Sequence, residues 1–87
     1  MKIKKGFLKR KIGGKYLVVS TEKVNGNSMF IELNETSSDI WDGVAKGESG
    51  EEIADFLAEK YGVKKEKALA DVESLIAKMR DAGVIED

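Results

Sequence analysis

Any chemistry in this chain must come from hydroxyl, lysine, arginine and carboxylate side chains, because the sequence contains no histidine and no cysteine. Ser20, Ser28, Ser37, Ser38, Ser49 and Ser74 have no imidazole to activate them, so a Ser-His-acid triad is excluded. The chain has no thiolate nucleophile, no disulfide, and no cysteine or histidine ligand for zinc. A lysine can serve as a base, but nothing singles one out. Asp39 with Asp42, and Glu51 with Glu52, are carboxylate pairs of the kind that hold hard cations. They lack the dense alternation of a calcium loop, and a place near a helix N-terminus explains each pair. Gly13-Gly14 lacks the downstream Gly and Lys of a phosphate loop, so it predicts a turn. No catalytic residue, metal or cofactor is expected, which leaves binding surfaces.

Charge is distributed unevenly along the chain. Lys2, Lys4, Lys5, Lys9, Arg10, Lys11 and Lys15 precede any acid. From Asn34 to Glu59 the acids Glu35, Asp39, Asp42, Glu48, Glu51, Glu52, Asp55 and Glu59 face one base, Lys46. This predicts either two solvated faces of opposite sign or a basic strand edge that attracts an acidic partner. Two aromatics stand out. Trp41 lies on an apolar helical stripe and is expected to anchor the core. Phe30 has two placements: on the outer face of its strand, where it suits a binding surface, or packed under the N-terminal strand or the C-terminal residues.

The elements that must carry these residues follow from periodicity. Phe7–Ile12 and Tyr16–Ser20 flank Gly13-Gly14, a two-residue hairpin signal. Asn25-Gly26-Asn27 marks a second turn, and Met29–Leu33 alternates as a third strand. At Asn34, a good N-cap, the period becomes helical, with Ile40, Trp41 and Val44 on one stripe and Gly47 as the stop. Ser49-Gly50-Glu51-Glu52 is a capping box that opens a second helix, with Ile53, Phe56, Leu57 and Tyr61 at helical spacing and Gly62 at its end. A third helix starts near residues 64–66 and buries Ala68, Val72, Leu75, Ile76 and Met79; Val84-Ile85 packs back on the core. These 87 residues therefore predict one α+β domain spanning 1–87, a three-stranded antiparallel sheet followed by three helices. The third strand, with Glu32 as its one charge, is the better edge for a foreign strand, while Lys9, Lys11 and Lys15 blunt the other edge.

Taken in order, Ile31-Glu32-Leu33-Asn34-Glu35-Thr36, Ile40-Trp41, Gly47, Glu51-Glu52-Ile53, Tyr61-Gly62-Val63, Asp71-Val72-Glu73 and Ala82-Gly83-Val84-Ile85 resemble the PqqD-like family, relatives of coenzyme PQQ synthesis protein D, also known as RiPP recognition elements. The resemblance covers Phe7 to Glu86. It implies a fold similar to a winged helix-turn-helix and a non-enzymatic role. Members capture the leader segment of a ribosomally made precursor peptide by adding it as a strand beside the third strand and against the third helix, and present it to a tailoring enzyme, often a radical SAM enzyme. On this sequence, the implied contacts are Ser28, Met29, Phe30, Ile31, Glu32 and Leu33 on the strand, and Lys67, Ala68, Asp71, Val72 and Leu75 on the helix. Lys64-Lys65 departs from the acid or small cap usual in relatives, and the chain lacks the Pro and His that many of them carry.

The expectation is a cytoplasmic peptide chaperone that engages neither nucleic acid nor membrane. The alternative is a winged-helix DNA-binding regulator, since that topology is shared. Its third helix would have to read base edges, yet Glu66, Asp71, Glu73 and Asp81 interrupt its bases, and the pI of about 5.5 is acidic.

Overall fold

The computed structural model describes residues 1–20 and 30–86, with Phe30 in its backbone only. The order is β1 (Lys2–Ile3), β2 (Phe7–Ile12), β3 (Lys15–Ser20), β4 (Phe30–Leu33), α1 (Glu35–Ala45), α2 (Gly50–Tyr61), α3 (Lys65–Asp81) and β5 (Ile85–Glu86). The main sheet runs β2-β3-β4, antiparallel throughout, so β4 is an edge strand. The expected α+β architecture of three strands and three helices is present. The expected turn at Asn25-Gly26-Asn27 lies outside the described residues.

Local chemistry sets the boundaries. Gly13 and Gly14 both have positive φ, +58° and +83°, the backbone that a tight two-residue hairpin requires and that side chains with a Cβ resist. They place Ile12 opposite Lys15. The Asn34 side chain accepts from the Ser37 N–H at 2.8 Å and starts α1. Both halves of the Ser49–Glu52 capping box form. Lys64 caps α3 without any side-chain hydrogen bond.

A single core joins the sheet's inner face to the helices: Val18 and Leu33 from the sheet, Trp41 and Val44 from α1, Ile53 and Leu57 from α2, Val72 and Met79 from α3. Gly43 brings α1 close to α2, since a Cβ there would sit 2.6 Å from Ile53 Cγ1. Trp41 is buried, as its apolar stripe predicts.

Some side chains depart from the sequence expectation. Phe56 is about half exposed, because Ile53, Ala54 and Leu57 already define the buried side of α2. Lys9 does not blunt an edge. It lies on the sheet's inner face beside the ring of Tyr16 and donates to Ser38 Oγ and Asp42 Oδ1, both at 2.6 Å, which ties β2 to α1. A further element has no counterpart in the expected meander: β1 pairs with β5, Lys2 opposite Glu86 and Ile3 opposite Ile85, and fastens Val84 and Ile85 into the core.

Asp39 and Asp42 lie beyond the first turn of α1, whose acid is Glu35, and take up side-chain partners instead of the expected place at a helix N-terminus. Asp39 accepts from Lys60 Nζ at 2.8 Å and from the Tyr61 hydroxyl, joining α1 to the end of α2. Partial burial pushes the Asp39 carboxyl up, but the hydrogen bonds from Lys60 and Tyr61 outweigh it and hold the group below its ordinary value of 3.8. A carboxyl depressed in the folded state contributes stability above its unfolded pKa, and that contribution disappears as pH falls through the folded value. Urea midpoints measured from about pH 6 to about pH 2 should therefore fall more steeply for the wild type than for Asp39→Asn. Parallel curves would remove Asp39 as a source of acid sensitivity.

Candidate functional site

The free side of β4 faces a trough floored by the sheet and walled by α3. Which backbone groups β4 offers there follows from the hairpin. The pair closing a two-residue turn is a hydrogen-bonded pair, and such pairs alternate along an antiparallel ladder. Starting from Ile12 opposite Lys15, the residues Lys15, Leu17 and Val19 turn their N–H and C=O towards β2. Tyr16 and Val18 therefore bond to β4, at Leu33 and Ile31. The backbone groups of Glu32 and Phe30 are left pointing outward. Side chains alternate in the opposite sense. Ile31 and Leu33 sit on the helix side with Val18, while Glu32 lies on the outer face opposite Leu17 and forms an exposed 3.4 Å ion pair with Lys15.

The trough consists of three adjoining recesses. The first, about 300 Å³, lies between β4 and the C-terminal half of α3; Ile31, Leu33, Trp41, Leu75 and Met79 line it, with Lys78 at its rim. The second, about 310 Å³, shares Ser37, Leu75 and Lys78 with the first and passes the N-terminus of α1 at Asn34 and Thr36 to reach Asp71. The third, about 260 Å³, shares Thr36 and Asp71 and ends among Leu57, Tyr61, Val63 and Ala68 below Lys67. Each is small for a drug-sized ligand. End to end they form a track with apolar ends and a polar middle, suited to an extended chain.

Of the residues expected from the sequence, Ile31, Glu32, Leu33, Lys67, Ala68, Asp71 and Leu75 line this track. Phe30 contributes its backbone to the outward edge opposite Val19. Val72 is fully buried and takes no part in the lining. Ser28 and Met29 lie outside the described residues. The expected contacts did not include Ser37, Lys78, Met79 and Tyr61, which also line the track. The spacing Leu75, Lys78, Met79 on one helix face was the available signal, since residues three and four apart are neighbours. Lys67 sits 3.4 Å from Asp71 across one turn, an exposed pair that neutralises charge at the mouth of the third recess. Among the described residues no group of His, Cys, Asp or Glu is arranged to hold a metal ion, and no helix is long and apolar enough to cross a membrane.

The family model for coenzyme PQQ synthesis protein D (PqqD) matches residues 16–85. No curated protein matches the chain. Two solved structures share its fold. One, described as TbiB1 in complex with the TbiA(beta) leader peptide, is 21% identical, with a TM-score of 0.82 over 99% of this chain and 95% of that one. The other, a lasso peptide synthetase B1 complexed with the leader peptide, is 19% identical, with a TM-score of 0.82 over 99% of this chain and 96% of that one.

Proposed function

The chain belongs to the coenzyme PQQ synthesis protein D (PqqD) family, and from that premise we propose that it captures the leader segment of a ribosomally synthesised precursor peptide by β-strand addition and presents it to a modifying enzyme. The observation that carries this proposal is the β4 edge. Outward backbone groups at Phe30 and Glu32 run alongside a trough that continues past the end of the strand. Two solved proteins of the same fold are each complexed with a leader peptide.

Strand addition fixes the pattern that the guest must carry. The guest residue that bonds to Glu32 points its side chain to the outer face. Its two neighbours, opposite Ile31 and Leu33, point into the first recess towards Leu75 and Met79. A guest with apolar residues at i and i+2 and a polar residue between them fits. Beyond Leu33 the guest leaves the sheet, crosses the polar stretch at Asn34 and Asp71, and ends over Leu57 and Val63.

The chain itself is proposed to act without catalysis, in the cytoplasm, with a radical SAM protein as the tailoring partner that the family suggests. DNA binding has less in its favour, because Asp71 and Glu73 are exposed on α3 and would repel phosphates. The direct test is an NMR titration of the 15N-labelled chain with the synthetic leader of a precursor encoded beside its gene. The expected result is amide shifts at Phe30, Glu32, Asp71 and Leu75, with the outward amides of Phe30 and Glu32 becoming protected from exchange. Shifts confined to another face would reject β4 as the docking edge.

A further inference from the structure

The sheet has a second face, turned away from the helices. Its charged and apolar side chains are set by register. Leu8 stands opposite Val19, and Ile12 opposite Lys15. The middle row reads Arg10, Leu17, Glu32 across β2, β3 and β4. Leu8 is 46% and Ile12 56% exposed, high values for large apolar residues, and Leu17 and Val19 on the neighbouring strand β3 are only partly buried. An open apolar sheet face of this kind is ordinarily covered by another sheet or a helix layer.

The middle row identifies what covers it. A base, an apolar residue and an acid stand at equal steps on three adjacent strands, with the apolar residue at the centre. Rotating the row by half a turn about an axis along β3 brings the acid over the base and the base over the acid. We propose that this face docks a second copy of the chain, sheet against sheet, about a two-fold axis parallel to β3 at Leu17, with Arg10 of each copy against Glu32 of the other. Leu17 then meets Leu17 and Val19 meets Val19, about 10 Å apart between sheet planes as in other face-to-face sheets. Lys15, on the same line at the rim of the face with its side chain 68% exposed, must turn outward into solvent to avoid its own copy. The symmetry is isologous, so the contact closes at two copies. The Lys15–Glu32 pair that must give way is exposed at both ends and weakly held. Only the face is used, so the outward backbone groups of Phe30 and Glu32 remain at an open edge. A three-stranded face is small, below the ~1,200–2,000 Å² of a standard interface, so the dimer forms in the upper micromolar range and not at trace concentration.

Sedimentation equilibrium of the full chain, across a series reaching about 1 mM, tests this. The wild type is expected to approach twice its 9.6 kDa chain mass. Arg10→Glu alone and Glu32→Arg alone should each raise the dissociation constant about tenfold or more, since each sets like charges against one another across the axis. An equimolar mixture of the two variants should recover the dimer, because the acid placed at position 10 of one then meets the base placed at position 32 of the other, and the unaltered Glu32 of the first meets the unaltered Arg10 of the second. Circular dichroism confirms that each variant is folded. For any variant that is not, Leu17→Lys replaces it and should give a monomer. A wild type that stays monomeric at 1 mM, single variants that dimerise as the wild type does, or a mixture no better than its components would each overturn the proposal.

Discussion

Glu32→Pro is expected to leave the domain folded and to abolish most of its affinity for a leader peptide. The Glu32 N–H points away from β3, so proline there removes no bond within the sheet, and edge positions of this kind tolerate it. Its ring would occupy the space an incoming strand needs and remove one of the donors that strand would use. Loss of a hydrogen bond together with the steric clash corresponds to about 2–3 kcal/mol, or roughly 30–150-fold in the dissociation constant. Ile31→Pro is the contrasting variant. The Ile31 N–H bonds to Val18 across the β3–β4 ladder, so its loss should unfold the edge. Isothermal titration of folded Glu32→Pro with leader peptide provides the measurement. Wild-type affinity in that variant would place docking somewhere other than β4.

Trp41→Ala should be the most damaging single core truncation for stability. Trp41 is 4% exposed and packs in the cluster that joins α1 to the sheet and α3. Removing a buried ring costs about 3–5 kcal/mol. An 87-residue domain has on the order of 4–13 kcal/mol in total, so the loss amounts to between about a quarter of that stability and all of it. The melting temperature would fall by at least about 12 °C at the 4–8 °C per kcal/mol typical of this size. Trp41 also lines the first recess, so any residual folded population should bind a leader peptide more weakly. A thermal melt lowered by only a few degrees would contradict the burial of this ring.

The parts of the fold legible in the sequence were those encoded by local chemistry. Gly13-Gly14 specified the hairpin, Asn34 and Ser49–Glu52 specified two helix starts, and Trp41 announced the core. The β1–β5 pairing was not legible, because a two-residue strand has no period and its partner lies at the far end of the chain. The destinations of Lys9 and Asp39 were hidden for a similar reason. Charge alone does not reveal that β2 crosses α1, or that the end of α2 reaches Asp39. Of the proposed contacts, those on β4 came from the family resemblance together with the low charge of that edge strand. On α3, Leu75 was legible from helical spacing, whereas Val72 has the same apolar character but faces fully inward. Periodicity marks a buried side without distinguishing its centre from its margin.

The shortness of β4 has a further consequence. A guest can draw on a donor and an acceptor at each of Phe30 and Glu32, four main-chain bonds in all, worth about 2–6 kcal/mol together. Straightening four guest residues costs about 4–8 kcal/mol of backbone entropy. The latch is thus close to neutral by itself, and retention falls to whatever the guest lays against Leu75, Lys78 and Met79 on one side of Asp71, and Leu57 and Val63 on the other. Exchanging a few of those side chains would hand the scaffold a new client while its strand geometry stayed untouched.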